Sequence, residues 1–150
     1  MVKAEARLVH PDEVAVIWSA LVPKVKQFLE HGQGESTVAS ILTNIMNFKF
    51  QCWVIELDGE LKGVCITKID HFIGYKALHI LGLAGVGWKS WNSAHGSVED
   101  FARFHECDRI TIWGRKGWKR LFDKSNFHGD RGETYEHMYD ILHMKLNKEE

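Results

Sequence analysis

The stretch Val54-Ile55-Glu56-Leu57-Asp58-Gly59-Glu60-Leu61-Lys62-Gly63 constrains this chain more than any other. Two β-rich runs flank Asp58-Gly59. An Asp-Gly pair between such runs marks a two-residue hairpin turn, because both of its positions take positive φ. The reading extends over "FQCWVIELDGELKGVCITKID" as two antiparallel strands. Such a hairpin is not stable alone and needs further elements to cover its apolar side.

The flanking segments supply them. "EARLVH" reads as a first strand, and "PDEVAVIWSALVPKVKQFLEHG" as a helix. Pro11 suits its first turn, and Asp12 and Glu13 favour a helix N-terminus. Val14, Ile17, Trp18, Leu21, Val25 and Phe28 recur at helical spacing, with Pro23 placed to kink or divide the helix. "STVASILTNIMNF" is a second helix, capped by Ser36 or Thr37, with Val38, Ile41, Leu42 and Ile45 as its apolar stripe. Beyond the hairpin, "KALHILGLAG" is a strand, "SVEDFARFHEC" a helix, "DRITIW" a strand and "GWKRLFDKSNF" a short helix. The tail "TYEHMYDILHMKL" holds a last strand, with Ile141, His143 and Lys145 alternating against Leu142, Met144 and Leu146. The expected order is β-α-α-β-β-β-α-β-α-β. This is a mixed α/β (α+β) sheet with an antiparallel meander ahead of a β-α-β unit, unlike a doubly wound nucleotide fold. At 150 residues, one domain spanning 1–150 is expected.

Between the expected strand and helix lies "ILGLAGVGWKSWNSAHG", with glycines at 82, 85, 87 and 96. Glycines after a strand and before a helix let backbone amides approach a phosphate, and they also simply turn chains.

In element order the chain resembles the GNAT superfamily of acyl-CoA-dependent N-acyltransferases. The hairpin Val54–Gly63 is similar to that family's central hairpin. Gly82-Leu83-Ala84-Gly85-Val86-Gly87 lies where the family carries Q/R-x-x-G-x-G/A. The resemblance implies a splayed central sheet. It implies acetyl-CoA or CoA as cofactor, with backbone groups of Leu81 and Leu83 along the pantetheine arm and the amides of Gly85, Val86 and Gly87 on the pyrophosphate. It implies direct attack of an amine, from a small molecule or a protein, on the thioester. Three departures stand out: Gly82 replaces the Arg or Gln, 20 residues separate Gly87 from Asp108, and Phe122 occupies the position of a proton-donating Tyr. The segment "ECDRITIWGRKGWKRLFDKSNF" further resembles divergent GNAT-like proteins of tailed bacteriophages. Two functions therefore stand open. One is an N-acetyltransferase. The other is a non-catalytic GNAT-fold phage protein in the virion or at a host partner, for which six tryptophans offer contact surface.

His79, on the strand beside the expected acyl site, is the candidate general base, with His71 a second imidazole. Tyr135 and Tyr139 are tail hydroxyls that no spacing selects. Trp88 and Trp91 are read as core or contact aromatics more readily than as groove lining. The cations Arg115, Lys116, Lys119, Arg120 and Lys124 are spaced as a solvated helix face. Nine histidines include no second pair at ligand spacing beside His105 and Cys107, so no metal is expected. No G-x-S-x-G occurs, and no nucleophile sits beside a clear base. Net charge is −1, which gives no overall field for nucleic acid. No apolar run reaches a membrane span. Cys52, Cys65 and Cys107 are odd in number and lack a C-x-x-C, so each is expected reduced in the core of a cytoplasmic protein, in the host cytoplasm or the virion if phage-encoded.

Overall fold

The computed structural model describes residues 4–30, 34, 36–113, 128–138 and 141–148. Its elements run β1 (Glu5–Val9), α1 (Pro11–Leu29), α2 (Val38–Met46), β2 (Phe50–Leu57), β3 (Glu60–His71), β4 (Lys76–Ala84), α3 (Trp88–Phe104), β5 (Arg109–Trp113), β6 (Glu136–Met138) and β7 (Ile141–Lys145). Among the described residues they form one sheet ordered β1-β2-β3-β4-β5-β7-β6. All neighbours are antiparallel except β4 and β5, which run parallel. The expected mixed α/β architecture is therefore the one observed.

The hairpin turns as its residues dictate: Asp58 and Gly59 take φ of 54° and 78°. His10 accepts from the Asp12 amide to cap α1, which runs unbroken through Pro23. Thr37 and Ser40 form a reciprocal capping box on α2. Each face of the sheet buries its own cluster. α1 and α2 bring Val14, Leu21, Val25, Phe28, Ile41 and Ile45 onto Cys52, Val54, Val64 and Ile66. α3 brings Trp91, Ala94, Val98 and Ala102 onto Trp53, Cys65, Leu78 and Ile110. Trp91 is thus a core residue, 1% exposed.

Two expectations are corrected. The helix expected over 97–107 begins at Trp88 and ends at Phe104. Gly96 reads as a breaker in sequence and costs about 1 kcal/mol in a helix interior. Burial of Trp91 and Ala94, on the same face as Val98 and Ala102, outweighs it. The tail also holds a second strand, β6, paired with β7 through Glu136↔His143 and Met138↔Ile141. The expected helix over 117–127, with Phe122 and the basic run 115–124, lies outside the described residues, as does Tyr139.

Candidate functional site

The site forms where β4 leaves β5. Their parallel pairing runs from Ala77↔Arg109 to Ile80↔Ile112. Among the described residues, Leu81–Ala84 continue β4 with no partner on the β5 side. The other edge of β4 stays paired to β3, but Ile66 pairs with Gly82 and Thr67 with Ile80, so Leu81 is an extra residue in a bulge. A bulge re-aims the strand and its side chains. Leu81 accordingly packs with the α1/α2 cluster and Leu83 with the α3 cluster. Among the described residues, β4 and β5 part at Ile80, as the splayed central sheet implied by the resemblance requires.

The four glycines do four different jobs. Only Gly85-Val86-Gly87 separates β4 from α3. Gly82 lies inside the strand, and a Cβ there would run into the Phe28 ring of α1. That contact explains why the position holds no Arg or Gln. Gly85 turns the chain at φ +84°, and a Cβ on it would strike the Lys62 carbonyl and come within 3.1 Å of Gly63 Cα. A Cβ on Gly63 would in turn sit 2.6 Å from the Ala84 carbonyl and the Val86 side chain. Hairpin and turn thus interlock through facing glycines. Gly96 is helical. Gly87 differs from the rest: its φ is −76°, and a Cβ there would meet nothing within 4 Å among the described residues.

Gly87 is also the N-cap of α3, and among the described residues no side-chain hydrogen bond caps that end. The first amides of a helix have no intrahelical acceptor, and they carry the positive end of the helix dipole. Among the described residues, the β4 stretch without a β5 partner, the glycine turn and the first amides of α3 follow one another along the backbone. The Lys24 stem from α1 reaches the back of this turn, its Cδ 3.2 Å from the place of a Gly85 Cβ.

His79 lies just before the parting, 6% exposed, with Nδ1 2.7 Å from Thr111 Oγ1. Burial pushes its imidazole down to about 4; Asp70 acts against this and Lys68 with it. The ring is therefore neutral at pH 7. His71 sits exposed at the far end of β3, beside the turn into β4, away from the glycine turn. Burial raises all three thiols, Cys52 to about 12, so none is a ready nucleophile. Among the described residues, no group of three His, Cys, Asp or Glu is placed to hold a metal ion.

The sequence reading missed a buried polar cluster behind α3. His95 Nδ1 lies 2.6 Å from Glu99 Oε1, and His95 Nε2 lies 2.8 Å from the Tyr135 hydroxyl. Glu99 Oε2 accepts from the Asp130 amide at 2.8 Å. Arg103 bridges to Glu133 at 2.6 Å, and Glu133 also accepts from the Arg131 and Asn147 amides. His95 and Glu99, four apart on one helix, were a readable signal; Tyr135 was not. The Tyr135 hydroxyl is committed to this cluster, and burial raises its pKa well above the ordinary value.

Two of these groups set a pH response. Unfolded imidazole titrates near 6.5. With His79 at about 4 in the fold, its stabilisation is whole above pH 6.5 and is lost as pH falls towards 4, by about 3 kcal/mol. Burial alone would raise Glu133, but Arg103 and the Asn147 and Arg131 amides hold it down to about 2. Its stabilisation is whole above about pH 4.5 and is lost as pH falls towards 2. Urea unfolding across this range is expected to fall in two stages, with His79→Gln flattening the first. An unchanged slope between pH 6.5 and 4 in that variant would assign the first stage to another group.

No protein-family model matches the chain, and no curated protein matches it. Solved structures do. A probable acetyltransferase from Staphylococcus epidermidis superposes with a TM-score of 0.61 at 11% identity, over 94% of this chain and 96% of that one. A chain of the NatC complex bound to Gag peptide and CoA gives 0.60 at 11% identity, over 97% and 99%. FeeM, an N-acyl amino acid synthase from uncultured soil microbes, gives 0.59 at 17% identity, over 97% and 91%. With the strand order, these superpositions show that the chain carries the GNAT fold.

Proposed function

We propose that this protein is an N-acyltransferase that takes an acetyl group from acetyl-CoA and passes it to an amine. One observation carries the reading: β4 parts from β5 at Ile80 and leads through a three-residue glycine turn to the uncapped start of α3. The fold neighbours support it, since one is bound to CoA and another is an N-acyl amino acid synthase. When bound, acetyl-CoA supplies an activated thioester carbonyl. The chain's own groups do the rest. Backbone groups of Leu81 and Leu83 would align the pantetheine arm, and the Gly85, Val86 and Gly87 amides would donate hydrogen bonds to the pyrophosphate. An amine held between the splayed strands would attack the thioester carbonyl directly, its C–N bond forming as the C–S bond breaks, with CoA leaving as the thiolate and taking up the amine's proton by way of water, so no protein nucleophile is required, in keeping with the raised thiols.

His79 is neutral at pH 7 and, through Thr111, fixed in orientation. It accepts a proton from the amine through water. Its pKa of about 4 makes it a weak base, so its share of the rate is small for general-base catalysis. The non-catalytic phage reading rests on Phe122, Asn126 and the 114–122 segment, which lie outside the described residues. Gly82, which also pointed that way, now has a packing reason in Phe28. Release of free CoA thiol from acetyl-CoA, measured against a panel of primary amines and amino acids, tests the reading. Amine-dependent release is expected. CoA binding without release for any amine would favour the non-catalytic reading.

A further inference from the structure

The walls around the parting of β4 and β5 are unequal. The deep end is shut, because Ile80 and Ile112 are still paired there and both are buried. At the loop end, a Cβ on Gly87 would meet nothing within 4 Å among the described residues. On the α3 face stand Leu83 and the packed cluster of Trp91 and Ile80. On the α1 face, position 82 is glycine, and its side-chain space is taken by the Phe28 ring, itself only 8% exposed. Leu81, bulged onto that same face, packs with it in one cluster.

We propose that Phe28, seated on Gly82, is the stop that limits the transferred acyl group to a short chain. The proposal rests on the acyl-CoA reading and names its substrate class. With the pantetheine arm entering from Gly87, a carbonyl beside Leu81–Leu83 has its acyl tail directed inward. An acetyl methyl needs no room beyond the splay. A tail of several methylenes cannot pass the paired and buried Ile80 and Ile112, and the described residues of the α3 face are packed core. Among the described residues, the remaining direction is across Gly82, and the Phe28 ring fills it. Glycine at 82 and a ring at 28 are thus two halves of one device: the missing Cβ lets the ring seat against the strand itself.

Isothermal titration with CoA, acetyl-CoA and octanoyl-CoA tests this on the wild type, Phe28→Ala and Phe28→Leu. The leucine variant covers the case in which the alanine cavity costs the fold, which thermal unfolding reports. Wild type is expected to bind CoA and acetyl-CoA alike and octanoyl-CoA more weakly. Removing the ring is expected to tighten octanoyl-CoA by about tenfold, with CoA unchanged, since pocket methylenes discriminate on that scale. Equal binding of acetyl- and octanoyl-CoA by wild type, or an unchanged preference in a folded variant, would overturn the role of Phe28 alone. Absence of CoA binding in every protein would overturn the acyl-CoA reading and this proposal with it.

Discussion

Glu99→Ala is expected to cost about 3–5 kcal/mol, the range for breaking a buried charged network at one member. That lowers the melting midpoint by about 10 °C for a chain of this length. Glu99 is 2% exposed and answers His95, the Asp130 amide and, at 3.5 Å, Arg103. Without it, His95 keeps only the Tyr135 hydroxyl among these contacts, and the 129–133 turn loses one of its two carboxylate anchors. Glu99→Gln keeps the shape and an acceptor oxygen, so it is expected to cost clearly less. Thermal unfolding of the pair checks this. Equal and small losses would mean that the cluster does not hold the turn to α3.

Gly85→Ala is expected to be the second large effect, while Gly87→Ala, two residues on, leaves stability nearly unchanged. At Gly85 the backbone is left-handed at φ +84°, and a Cβ would strike the backbone of Lys62 and Gly63. Strain of this kind costs about 1–3 kcal/mol, and the backbone clash places it at the upper end. Gly87 has φ −76° and open space where a Cβ would go. Chemical unfolding of both variants reads the contrast. Similar losses at the two positions would show that Gly87 is also a packing glycine and not a place kept free for a ligand.

How much of this was legible in the sequence depended on whether the cause was local. Asp58-Gly59 dictates its turn with its own dihedral preferences, so the hairpin read cleanly. The apolar spacing of α1 and α2 likewise lies within each segment. The start of α3 did not read, because Gly96 signals a break and only the burial of Trp91 and Ala94 against β-strand residues overrides it. Gly82 looked like a lost charge in a phosphate motif. Its reason is the Phe28 ring, far away in sequence and brought over β4 by the path of α1. The candidate site was half legible. Gly85 and Gly87 were picked out, and they do form the turn into α3. The splay that gives them meaning is a property of the β4–β5 pairing, which no single segment encodes. The Tyr135–His95–Glu99 cluster joins residues from α3 and the tail, and its link to Tyr135 is visible only once the chain has folded.

The central claim is that the Gly87 end of α3 and the open β4 edge hold the phosphates and arm of CoA. Its most direct measurement is calorimetric titration of CoA into the wild type and into Gly87→Val. The account predicts saturable binding at one site in the wild type, and strongly weakened binding in a variant whose melting midpoint stays close to it. No binding by the wild type, or undiminished binding once a branched side chain stands in that space, would contradict it.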